Sequence, residues 1–191
     1  MSARPQIGII VGSTRPSRIG RRVADEIAPI VDAAGAEPIM LDLAEIELPL
    51  LNEEAHPATD IRTQPHTIAW AEQVDALDGV ILLTPEYNGS FSAPIKNAID
   101  SLYNNWKGKA GLVVSYGWSG GAGASAGLTG VFSHIGGVPA AEGVKLTFAA
   151  SDFQEDRTFG EVAPFVARYT DDIRVGVEQL VVAASKELAS A

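Results

Sequence analysis

The sequence predicts an α/β domain built on a five-stranded parallel sheet with helices on both faces. Three observations carry that prediction. Short, nearly all-apolar runs alternate with longer runs whose apolar residues recur at helical spacing. Each of the first four apolar runs leads through a loop into a helix-like run, as strands of a parallel sheet require. The 191 residues suffice for one domain with a real core but are short for two, so residues 1–191 read as a single domain.

Residues 6–11 are rich in isoleucine, the pattern of a strand buried on both faces. Residues 19–34 read as a helix, with Val23, Ile27, Ile30 and Val31 near helical spacing and Gly35 where a helix often stops. Residues 37–43 form the second strand. Residues 46–64 are irregular and broken by prolines, but Leu48-Pro49-Leu50-Leu51 is too apolar for an ordinary solvated loop, so part of it is expected to pack. A helix over 66–76 and a strand over 79–84 follow. The next helix is predicted over 92–106, with Pro94 in its first turn, where the missing N–H does no harm. A strand over 110–116, a glycine-rich loop over 117–123, a helix over 124–135 and a fifth strand over 138–148 come next. A long final helix runs from about residue 165. Strand count suits the order 2-1-3-4-5 of a flavodoxin-like three-layer sandwich, with a Rossmann-type arrangement as the rival.

Composition narrows the function. A net charge of −10 argues against nucleic-acid binding, which needs a basic footprint. Yet Arg15, Arg18, Arg21 and Arg22 cluster, so a local anion site can exist on an acidic protein. The absence of cysteine removes disulfides, thiolate nucleophiles and thiolate metal sites, and it fits a cytoplasmic location. Met1-Ser2-Ala3-Arg4-Pro5 has no apolar leader core, and no stretch is apolar for long enough to span a bilayer. No membrane or nucleic-acid partner is expected.

In such a sheet, ligands bind beyond the carboxyl ends of the strands, where the strand order reverses. Three loops lie there. The first, from Gly12, has exposed N–H groups and the positive end of the following helix. Ser13, Thr14 and Ser17 add hydroxyl donors, and Arg15 or Arg18 adds charge. It is neither a Walker A loop nor a Gly-x-Gly-x-x-Gly turn. A plain helix cap flanked by surface arginines accounts for it as well as an anion site does. The second loop, Pro85-Glu86-Tyr87-Asn88-Gly89, is turn-like, but Tyr87 and Asn88 also suit the mixed donor and acceptor edge of a pyrimidine-like ring. The third, around Gly117, Gly120 and Gly121, leaves its backbone open to a flat ligand. Tyr116 and Trp118 there can flank a ring or line a subunit contact.

Together these residues resemble the NADPH-dependent FMN reductase family. The signatures are the Gly-Ser-x-Arg loop at 12–18 and the Pro-Glu-Tyr-Asn loop leading to Lys-Asn-Ala-Ile-Asp, here Pro85 to Asp100. The resemblance covers nearly the whole chain and includes the Leu-Pro-Leu run at 48–50. It implies a flavodoxin-like fold, bound FMN, and NADPH or NADH as electron donor. It implies that Ser13, Arg15, Ser17, Arg18, Ile19 and Gly20 surround the FMN phosphate and ribityl chain. It implies that Pro85, Glu86, Tyr87 and Asn88 hold the isoalloxazine edge, largely through backbone groups. Ser115, Gly117, Gly120 and Gly121 would approach the ring from the third loop. Relatives often carry an arginine and longer polar residues in the next helix, where this chain has Ala122-Gly123-Ala124-Ser125-Ala126-Gly127. That departure bears on the family's nicotinamide-nucleotide contacts and on substrate choice more than on FMN itself.

The activity implied is hydride transfer from NADPH or NADH through FMN to a small acceptor such as a flavin, quinone or azo compound. A flavodoxin-type electron carrier and a binder of another nucleotide or sugar phosphate are the alternatives. The cofactor carries the chemistry, so no side chain is nominated as acid, base, nucleophile or metal ligand. His56, His66 and His134 lie outside the three loops, and Glu53-Glu54 and Asp171-Asp172 read as solvated faces. The resemblance also implies a homodimer or homotetramer. Leu102 to Trp106, at the end of the third helix, reads equally as subunit contact and as core.

Overall fold

A computed structural model describes residues 4–188. Residues 1–3, within the segment read as lacking a leader, lie outside that range, as do 189–191. The strands are β1 (Gln6–Val11), β2 (Glu37–Asp42), β3 (Gly79–Pro85), β4 (Ala110–Gly117), β5 (Val138–Pro139) and β6 (Val144–Thr147). The helices are α1 (Gly20–Ala33), α2 (Leu43–Ile46), α3 (Pro65–Asp75), α4 (Ala93–Asp100), α5 (Ala122–His134), α6 (Val162–Ala167) and α7 (Thr170–Leu188).

The sheet runs β2-β1-β3-β4-β5, with β6 also paired to β4, and every pairing is parallel. This is the flavodoxin-like order, with helices on both faces. One apolar layer packs Val23, Ile27 and Val31 of α1 with Phe165 of α6 and Ile173, Val177 and Leu180 of α7 against the sheet. The other packs Trp70 of α3, Ile95 and Ile99 of α4, and Leu128 and Phe132 of α5. Residues of β3 and β4 are buried on both faces, which is why these strands read as unbroken apolar runs.

Four expectations change. The predicted fifth strand is two short strands. Between Gly111↔Pro139 and Val114↔Val144, three steps along β4 face five along its neighbour, so two extra residues bulge out. The helix predicted over 92–106 ends at Asp100, and a 3-10 turn follows at Asn104–Trp106. The final helix is broken between α6 and α7. At the break, Arg168 forks onto Asp152 (2.7 and 2.8 Å), and the Tyr169 hydroxyl sits 2.9 Å from the Thr147 carbonyl. Glu53 is no simple solvated face. It accepts the N–H groups of Thr63 and Gln64 ahead of α3. Desolvation raises its carboxyl pKa, but these donors outweigh that and hold it at about 2.

The Leu48–Leu51 run packs only in part. Leu48 lies against the core, while Leu50 is 79% exposed. Asn97 of α4 fixes the run, donating to the Pro49 carbonyl (2.8 Å) and accepting from the Leu51 N–H (2.9 Å). Asn97→Ala is expected to cost about 1–2 kcal/mol, measured by urea unfolding, because it leaves these backbone groups without their partner. An unchanged midpoint would show that water replaces the side chain.

Candidate functional site

The strands deliver three loops to one edge of the sheet, where β1 connects to β2 on one side and β3 on the other. Ser92, which precedes α4, ties the first two together. Its hydroxyl donates to the Gly12 carbonyl (2.7 Å), and its N–H donates to the Thr84 hydroxyl (3.1 Å). Tyr87 makes a second tie, its hydroxyl 2.8 Å from Ser13 Oγ, with the Arg15 guanidinium 5.9 Å from its ring centre.

The second loop turns back through a two-residue Asn88-Gly89 turn. Asn88 has φ 52° and Gly89 φ 78°, and Tyr87 and Ser90 bond to each other in both directions. Positive φ at both positions is the geometry that Asn-Gly favours. Glu86 gives its N–H to the Tyr116 carbonyl, and its carboxylate accepts the N–H groups of Gly123 (2.8 Å) and Ala124 (3.2 Å). It thus caps α5 and joins the second loop to the third. In the third loop the buried Ser115 hydroxyl donates to the Gly120 carbonyl (2.7 Å). Gly121 has φ 73°, and a Cβ there would lie 2.7 Å from that of Ser115.

These loops enclose a cavity of about 770 Å³, within the range of cofactor sites. Of the residues singled out in the sequence, Ser13, Arg15, Ser17, Arg18, Ile19, Pro85, Glu86, Tyr87 and Gly117 line it. Gly20, Ser115, Gly120 and Gly121 lie behind the wall, and Asn88 stands exposed at its turn, away from the lining. Further lining comes from Arg22, Tyr116, Trp118 and Ser119. Phe148, Phe153, Arg157, Thr158 and Phe159 complete it and were missed in the sequence. They follow β6, and only the recurrence of phenylalanine at 148, 153 and 159 could have signalled them.

One end of the cavity is cationic. Arg18 donates to Asp42 at 3.0 Å, and the Asp42 side chain is fully buried. Arg18 Nε is buried without a partner. The N–H groups of Thr14, Arg15 and Ser17 find no protein acceptor among the described residues, and the first turn of α1 adds its own free donors. Burial pushes the Tyr116 phenol up, with Tyr87 adding to the shift and Ser13, Arg18 and Arg15 partly opposing it. Tyr116 therefore remains a neutral hydroxyl. No group of histidine and carboxylate side chains among the described residues could hold a metal ion. His56 and His66 bond locally, to Ala58 and Asn52.

Phe153 and Phe159 form an isolated antiparallel bridge that closes an arm over 152–160. Asp152 anchors the arm through Arg168 and the Ala149 N–H (2.8 Å). The hydrogen bonds from Arg168 hold the Asp152 carboxyl below its usual range, against the opposing effect of desolvation. A depressed folded-state pKa stabilises above the unfolded value, near 4, and that stability is lost as pH falls through the folded value. Asp152→Asn is expected to lower stability by about 2 kcal/mol at pH 7 and to flatten the acid limb below about pH 4. Thermal melts from pH 7 to pH 2 test this, and parallel acid limbs for the two proteins would refute it.

The fold and the site together define a flavodoxin-like protein with a cleft that is cationic and lined by open N–H groups at one end and aromatic along its outer wall. The sequence family described as NADPH-dependent FMN reductase matches residues 5–151, and the chain belongs to that family. It is 37% identical over 124 residues to an NAD(P)H-dependent FMN reductase of Schizosaccharomyces pombe, covering 61% of this chain and 60% of that protein. It is 36% identical over 105 residues to a quinone reductase of Escherichia coli K12, covering 53% and 52%. The matched segment thus spans about 60% of the first relative's length and about half of the second's. In fold it is similar to FerB, a flavoenzyme NAD(P)H:(acceptor) oxidoreductase of Paracoccus denitrificans, at TM-score 0.72 and 22% identity, covering 95% of this chain and 98% of that one.

Proposed function

We propose that this protein is an FMN-dependent NAD(P)H oxidoreductase that reduces a small acceptor such as a flavin, quinone or azo compound. The observation that carries the reading is the buried, partnerless Arg18 Nε in a cradle of open N–H groups, next to an aromatic cleft of cofactor size. A phosphate fits the first, and a flat ring with its ribityl chain fits the second. Ser13, Arg15, Ser17, Arg18 and the first turn of α1 would hold the phosphate, with Ile19 and Gly20 beside the ribityl chain. Pro85, Glu86, Tyr87 and Gly117 would border the ring. The N–H groups of Glu86 and Tyr87 bond within the protein, so the open N–H groups on that loop are those of Asn88 and Gly89 on the exposed turn. Ser115, Gly120 and Gly121 would set the third loop's approach.

The chemistry FMN supplies when bound is reversible two-electron transfer between reduced nicotinamide and an acceptor. For a quinone the net change is NAD(P)H plus a proton plus quinone to NAD(P)+ plus hydroquinone. This chain's part is to bind, orient and exclude water. Tyr116 keeps its proton and can donate a hydrogen bond into the cleft. The Glu86 carboxylate holds the second and third loops at fixed separation. We further propose a cytoplasmic homodimer or homotetramer, supported by the lack of cysteine and by the exposed Leu50 beside α4. No described helix is long and apolar enough to cross a membrane.

The test is the absorbance spectrum of purified protein with excess FMN removed, followed by NADPH without oxygen. Bound flavin bleached faster than free FMN supports the reductase. Bound flavin left unbleached by NADPH and NADH alike identifies an electron carrier instead. Light scattering at micromolar concentration tests the assembly, and a monomeric mass would refute it.

A further inference from the structure

The nine arginines of the described residues divide sharply. Arg4, Arg18, Arg21, Arg62, Arg168 and Arg174 each have a carboxylate partner. Arg15, Arg22 and Arg157 have none among the described residues, and all three line the same cavity. In a chain of net charge −10, three unmatched guanidiniums around one cleft are a concentrated positive field. The one carboxylate in the lining, Glu86, is turned onto the N-terminus of α5. Arg18 is matched by Asp42. A phosphate monoester brings about −1.5 to −2 at neutral pH. It therefore leaves roughly one positive charge unmatched in the cleft.

That surplus sits beside an aromatic platform. Trp118 stacks on Phe153 at 5.1 Å between centres and 16° between planes, yet is 64% exposed. One indole face is thus covered and much of the residue stays open. Phe148 and Phe159 back the pair, at 5.9 Å from Trp118 and 5.1 Å from Phe153 respectively. Arg157 rises from the tip of the same arm with φ 65°. The tip is braced by Gln154 N–H to the Thr158 carbonyl (2.9 Å) and by Asp156, which accepts from the Thr158 hydroxyl (2.6 Å). The base is braced by Arg22, which donates to the Gly160 carbonyl (3.2 Å). The arm lies beyond residue 151, where the family match ends.

We infer that Trp118, Phe153 and Arg157 form an acceptor subsite selective for planar aromatic molecules that carry a single anionic group, such as a sulfonated or carboxylated quinone. Stacking on the indole supplies affinity that tolerates many ring types. The guanidinium supplies charge selection, because a sulfonate or carboxylate accepts its N–H donors in pairs. This rests on the reductase reading given above, and the test separates the two.

The FMN-loaded protein is assayed with NADPH and a matched acceptor pair, 1,2-naphthoquinone-4-sulfonate and 1,2-naphthoquinone. The wild type is expected to favour the sulfonate in kcat/KM. Arg157→Asn, which suits the left-handed backbone, is expected to lower the ratio of the two kcat/KM values about tenfold, mainly through KM, and Arg157→Lys, which keeps the charge but not the paired donors, to restore only part of it. Trp118→Ala is expected to raise KM for both acceptors together. Independently of turnover and of flavin loading, calorimetry should show 2-naphthalenesulfonate binding the wild type about tenfold more tightly than Arg157→Asn. An unchanged acceptor ratio with unchanged naphthalenesulfonate binding would overturn the proposal. So would an effect of Arg157→Asn confined to KM for NADPH and absent with NADH, which would assign the arginine to the donor. If the protein retains no flavin, the reductase reading fails, and the naphthalenesulfonate titration alone then decides the subsite.

Discussion

Replacing Arg18 with alanine is expected to raise the Kd for FMN about 100-fold, read by quenching of flavin fluorescence. Charge-assisted hydrogen bonds to a phosphate contribute roughly 1.5–3 kcal/mol, which brackets that factor. The same substitution strips Asp42 of its close ion-pair partner. That carboxylate is fully buried and keeps only the Ala44 N–H at 3.0 Å and Arg21 at 3.9 Å. A buried charge without its partner is destabilising, here by about 2–3 kcal/mol in the flavin-free protein because Arg18 is itself 22% exposed. The double variant R18A/D42N separates the two effects. It should recover much of the stability and none of the affinity. Recovery of FMN binding in the double variant would show that Arg18 only neutralises Asp42.

Trp106→Ala is expected to be the most destabilising single substitution considered, at about 3–5 kcal/mol in urea unfolding. Trp106 is fully buried. It lies 6.3 Å from the Trp70 ring and 6.2 Å from Phe132, and its indole N–H donates to the Ile99 carbonyl (3.0 Å). Truncation opens a cavity in the layer between α3, α4 and α5 and leaves that carbonyl with only the Leu102 N–H at 3.2 Å. Against a total of about 5–15 kcal/mol, this is a large fraction of the protein's stability. Its assembly state should not change, because the residue is enclosed by its own protomer. A small stability loss accompanied by dissociation would place Trp106 at a subunit contact instead.

The fate of Trp106 shows where sequence reasoning ran out. Helical periodicity and an aromatic pair fit a core and an interface equally well, since both are apolar. Only the packing of Trp70 and Phe132 around it decides. Asn97 is similar. Its motif was legible, but its hold on Pro49 and Leu51 required the tertiary fold. Glu86 was legible as part of the Pro-Glu-Tyr-Asn loop, but the capping of a helix thirty-seven residues further along by its carboxylate was not. The arm over 152–160 left almost no local signal, because its bridge between Phe153 and Phe159 and its clamp from Arg168 depend on contacts outside the segment.

By itself the sequence determined the parallel α/β sheet and the positions of the Gly12 loop and the Pro-Glu-Tyr-Asn loop, while the strand order was settled against the Rossmann-type rival only by the structure. The sheet and the loop positions follow from local chemistry: apolar runs must be buried, turn residues must turn, and parallel strands bring their following loops to one edge. The tertiary structure alone decided which side chains meet across those loops, which arginines have a carboxylate partner among the described residues, and what forms the cleft's outer wall. Those outcomes depend on distances between residues far apart in the chain, which periodicity and composition do not encode.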